Sequence, residues 1–88
     1  MENQHRLIKG YRDLSEQEIA LVNEAKQMAD QVGELCLKIA RLAVAMPSDT
    51  ADTDAEREEA MRWVETGETT LQTGFMQLIR SITRPGSF

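Results

Sequence analysis

The sequence predicts an all-α protein: a short N-terminal helix, a hinge, then an antiparallel two-helix hairpin that assembles into a homo-oligomeric helical bundle. Three observations carry that expectation. Two long stretches place apolar residues at alternating spacings of three and four, the period of a packed helix stripe. Each stretch is preceded by a helix-capping signal. The only two prolines, Pro47 and Pro85, fall between and after the stretches rather than inside them, where a proline would break a helix.

The whole chain, residues 1–88, reads as one helical domain. Residues 1–13 form an N-terminal arm, in which residues 3–9 have room for a short helix with Gly10 as its stop. The first long helix is expected over 15–46. Ser15 and Glu18 match the capping box, in which a serine accepts from a free backbone N–H while a glutamate reaches back. Its apolar seam is Val22, Ala25, Ala29, Val32, Cys36, Ile39, Ala43 and Met46, flanked by a second row of Leu21, Met28, Leu35 and Leu42. That face is wider than a two-stranded seam requires, so the helix is expected to meet more than one neighbour. Pro47 stops it, and a polar turn follows over 48–52.

The second long helix is expected over 53–84, opened by a capping box at Thr53 and Glu56 and closed by Arg84-Pro85-Gly86. Its stripe runs Ala60, Val64, Gly67, Leu71, Gly74, Leu78 and Ser81. Within it Ala60, Gly67, Gly74 and Ser81 fall seven apart, so one edge is built of small residues. Each interior glycine costs roughly 1 kcal/mol of helix stability relative to alanine. Close helix–helix approach is the favoured compensation, with backbone access for a ligand as the alternative.

Composition excludes several function classes. One cysteine, Cys36, rules out an intrachain disulfide, and a single histidine, His5, rules out the usual His/Cys metal clusters. No cofactor is expected. No apolar run approaches the ~20 residues that span a bilayer, nor does the N-terminus carry a signal core, so a soluble intracellular protein without membrane attachment is expected. The net charge is −5, with eight acids in residues 49–68 against Arg57 and Arg62. That balance argues against a duplex nucleic-acid partner, which asks for a broad basic face. A chain this small is expected to complete its core by oligomerising beyond a dimer.

No catalytic constellation is present, and an enzyme is not expected. Glu58, Glu59, Glu65 and Glu68 read as a solvated helix face, and Cys36 as a small seam hydrophobe. Trp63 falls outside the main stripe as an interface contact or a stacking platform, whereas Phe75 reads as core. The threonine row Thr66, Thr69, Thr70 and Thr73 bonds to the preceding turn or presents hydroxyls to a ligand. The segment Lys9-Gly10-Tyr11-Arg12 sets an aromatic beside cations, which suits a base and a phosphate and equally suits a capping aromatic. Tyr11 and Lys26 form the candidate pair. Lys26 borders the seam ~16 Å along its helix from Ser15, and four extended residues carry Tyr11 only ~13 Å from Ser15. They meet only if the arm folds back or a neighbouring subunit brings them together.

The segment Ile8-Lys9-Gly10-Tyr11-Arg12-Asp13-Leu14-Ser15 and the run from Leu71 to Arg80 (Leu-Gln-Thr-Gly-Phe-Met-Gln-Leu-Ile-Arg) closely resemble small phage proteins of the anti-CBASS cyclic-oligonucleotide sponge family. The resemblance extends over nearly the whole chain. It implies a homohexamer that binds and sequesters the cyclic messengers of bacterial CBASS immunity without cleaving them, in the cytoplasm of the infected host. Its ligands would be cyclic dinucleotides such as cGAMP, and cyclic trinucleotides at separate sites. By resemblance Tyr11 stacks on a base and Lys26 contacts phosphate, with Arg12 beside them. Gly67 and Thr70 are the candidates for the trinucleotide sites. The competing expectation is a structural or adaptor helical homo-oligomer with no small-molecule ligand.

Overall fold

A computed structural model describes residues 13–84. They form two helices, α1 (Glu16–Val44) and α2 (Ala51–Thr83). The N-terminal arm, the expected short helix and the Gly10 hinge lie outside the described residues. The helices have 29 and 33 residues, or about 44 and 50 Å at the usual rise per residue.

The start of α1 is the one the sequence predicts. Ser15 is the N-cap: the Glu18 N–H donates to Ser15 Oγ at 3.1 Å, and the Ser15 N–H donates to the Glu18 carboxylate at 2.8 Å. Its end comes two residues before the expected Met46. A proline disfavours α geometry at the residue before it, so Pro47 acts on Met46 and the last turn closes at Ala45. The Ala45 N–H donates to the Arg41 carbonyl at 3.1 Å.

The beginning of α2 departs from expectation. Thr50, not Thr53, is the N-cap, and Thr53 takes the third helical position that a glutamate or glutamine fills in the usual box. The Thr53 N–H donates to Thr50 Oγ1 at 3.1 Å and the Thr50 N–H to Thr53 Oγ1 at 3.0 Å. A Thr-x-x-Thr pair thus does what Thr53 and Glu56 were expected to do, three residues earlier. The turn is then tightened by Thr53 Oγ1 donating to Asp49 at 3.1 Å and by Ser48 Oγ donating to Asp54.

Two arginines tie the helices together. At the turn, Arg57 Nε donates to the Val44 carbonyl at 3.0 Å, satisfying an orphan acceptor at the negative end of α1. At the other end Arg84, just past α2, lies 3.7 Å from Glu18 near the start of α1. Contacts at both ends make the hairpin antiparallel. Arg84 caps α2 in a left-handed conformation, φ 37°, a geometry that glycine adopts more readily.

The seam between the helices hides little. Only Val22 and Ala43 are buried among the described residues, at 8% and 5% exposure. Ile39, expected on the seam, is exposed, and Ala40 turns inward in its place. Phe75 and Ile82 are half-buried, in keeping with a packing role. The flanking row Leu21, Met28, Leu35 and Leu42 stays exposed, as does Trp63 outside the stripe at 64%. Close approach at the glycines is not what the hairpin provides. Apart from the backbone and neighbours of its own helix, no atom comes within 4 Å of where a Cβ would stand at Gly33, Gly67 or Gly74.

Two measurements check this account of the turn. Thr50→Ala should cost about 1 kcal/mol of stability in thermal or urea unfolding, as loss of an N-cap does, while Glu56→Ala should change little. Arg57→Ala should cost roughly 1–2 kcal/mol, because a charge-assisted bond to an otherwise orphaned carbonyl is lost.

Candidate functional site

Among the described residues, two apolar grooves are the roomiest that the hairpin shows. The first, about 430 Å³ and nearer the turn, is lined by Ile39, Leu42, Met46, Trp63, Val64 and Gly67 among others. The second, about 330 Å³, is lined by Ala29, Val32, Gly33, Gln72, Phe75 and Ile79 among others. Cys36, Glu68 and Leu71 line both, so the grooves meet there. Both volumes suit a small molecule or a side-chain cluster of a partner.

Lys26 is exposed on α1. It precedes Ala29 by one helical turn and Gly33 by two, and those residues line the second groove. Lys26 therefore shares the side of α1 that lines this groove, one turn before its first lining residue, and the half-buried Phe75 lines the same groove from α2. The bare backbone at Gly33 leaves room beside it. A cation next to an apolar, ring-lined channel suits a ligand that joins a flat base to a phosphate. Tyr11 and Arg12, the other members expected of this site, lie outside the described residues.

Gly67 and Thr70 share one side of α2 and are both exposed. Gly67 lines the first groove and has open space above its Cα. Thr70 Oγ1 donates to the Thr66 carbonyl at 2.9 Å. This is the local bond expected of a helical threonine, and it leaves the hydroxyl oxygen able only to accept.

The sequence reading passed over Glu68. It was grouped with Glu58, Glu59 and Glu65 as one solvated face, yet it alone of these four lines both grooves. The signal was available. Glu68 lies four residues after Val64 and three before Leu71, which places it on the stripe rather than behind it.

Among the described residues no cluster of His, Cys, Asp and Glu is placed to hold a metal ion. No helix among them is long and apolar enough to cross a membrane.

No protein-family model matches the sequence. The chain is similar to Anti-CBASS protein 2 of Pseudomonas phage JBD67, with 30% identity over an alignment of 105 positions covering 97% of each chain. Identity at that level over nearly the whole of both chains, in an all-helical hairpin, shows the family: the chain belongs to the phage anti-CBASS family.

Proposed function

We propose that this protein counters CBASS by binding cyclic di- and trinucleotide messengers and withholding them, uncleaved, from the effector they activate. The observation that carries the reading is Lys26, an exposed cation beside an apolar, phenylalanine-lined groove in a chain of the anti-CBASS family. In this reading Tyr11 stacks on a base of a cyclic dinucleotide such as cGAMP and Lys26 holds its phosphate, with Arg12 adding charge. Gly67 and Thr70 serve the trinucleotide sites. A stacked base contributes about 1–3 kcal/mol, and a charge-assisted phosphate bond adds to it. Sequestration asks for no catalytic group. The place of action is the cytoplasm of the infected bacterium, where the messenger is made.

The working form in this proposal is a homo-oligomer larger than a dimer, with six copies as the resemblance implies. Apolar residues exposed on different sides of the hairpin support it. Leu42 stands 73% exposed on one side of α1, and Leu37 and Val44 are about half exposed on another. One self-complementary interface would cover only one of those sides.

Calorimetric titration with a panel of cyclic di- and trinucleotides tests the binding directly. At least one should bind, raise the melting temperature and be recovered intact after the protein is denatured. No binding by any member would sink the sponge and favour a structural or adaptor oligomer. Tyr11→Ala and Lys26→Ala should each weaken dinucleotide binding by roughly ten- to a hundredfold, the equivalent of ~1.4–2.7 kcal/mol, while leaving the assembly's mass unaltered. Light scattering at micromolar concentration should give a mass above that of a dimer, and a monomer would refute the proposed assembly.

A further inference from the structure

Among the described residues, Glu68 is the only charged side chain that lines either groove, and it stands where the two meet, beside Cys36 and Leu71. It is exposed in the hairpin, and among the described residues it joins neither a hydrogen bond nor an ion pair. Lys38, Arg41 and Arg62 are exposed as well, and none is in an ion pair among those residues. The chain thus carries an unanswered carboxylate within its apolar surface and unanswered cations outside it.

The occupant of this surface follows from how little the hairpin buries. With Val22 and Ala43 the only buried side chains among the described residues, the hairpin leaves most of its apolar surface to be covered by something else. A second copy is always at hand; an unrelated partner is not. An apolar seam by itself is indifferent to sliding by a helical turn. A carboxylate within the seam is not, because covering it without a cation leaves a buried unpaired charge, which is strongly destabilising. Polar groups at single seam positions set register in coiled coils by the same means.

We infer that a second copy of this chain closes over the junction of the two grooves and sets one of its own cations against Glu68, which fixes the register of the assembly. The inference rests on the homo-oligomer proposed above and names the residue that orders it. The substitution to test is Glu68→Gln, which keeps the shape and removes the charge. Glu68→Gln should dissociate at a concentration at least tenfold higher than the unaltered protein in a sedimentation dilution series, because the facing cation is left unpaired. Glu58→Gln, on the acidic face outside both grooves, should match the unaltered protein. Circular dichroism at the highest concentration should show full helicity for both variants. Assembly of Glu68→Gln that is unchanged or tighter would overturn the inference. Loss of its helicity at every concentration would also do so, by assigning Glu68 to the hairpin's own fold. An unaltered protein that is itself monomeric is a separate result and removes the assembly instead.

Discussion

A pair of helices lying side by side shares one line of contact, and each helix presents the rest of its circumference to the surroundings. In this chain that geometry meets apolar stripes broader than one line of contact covers. The residues along the seam are small, with Ala25, Ala29 and Ala43 opposite a stretch of α2 that includes Gly67 and Gly74. The large side chains Leu35, Leu42, Trp63 and Leu78 lie beside the seam and are more than half exposed. The free energy that hydrophobic burial supplies, about 25 cal/mol per Å², is therefore mostly unrealised within one hairpin. The proposed assembly, the grooves and the significance of one carboxylate between them all derive from that shortfall.

Much of the hairpin was legible because its signals are local. Ser15 with Glu18, and Pro47, each act through backbone groups a few residues away, so their effects could be read without knowing the tertiary structure. The start of α2 was misplaced for a local reason too. Thr53 and Glu56 fit the familiar capping pattern, whereas Thr50 and Thr53 close the same reciprocal bonds with a shorter side chain. At the glycines, spacing reveals that a position is small but not what approaches it, and within the hairpin the other helix does not. Of the expected binding residues, Lys26 falls one turn before the lining of a groove that no sequence period announces. The groove depends on where Phe75 and Ile79 of α2 come to lie against Ala29 and Val32 of α1.

Charge distribution bears on the function in two opposing ways. A net charge of −5 repels anionic ligands at long range, but salt screens such fields beyond about 8 Å under physiological conditions. Within that distance individual cations decide. Lys26 is exposed on α1, one turn before the groove-lining Ala29, and a neighbour that covered it would strengthen a phosphate contact there. The acids are concentrated in the first half of α2, away from Lys26 along the sequence, and two of them, Asp52 and Asp54, stand in its first turn, where they stabilise the positive end of the helix.

The hydrogen bonds around the turn have a consequence for how the chain folds. Ser48 with Asp54, Thr50 with Thr53, Thr53 with Asp49, and Arg57 with Val44 all close between residues no more than 13 apart. Contacts of such short sequence separation form quickly, because little chain entropy is lost in closing them. Such local closure favours early formation of the bend. A straightened chain that exchanges its second helix with a neighbour would have to give up every one of these bonds, which disfavours domain swapping at the point where two long helices would otherwise invite it.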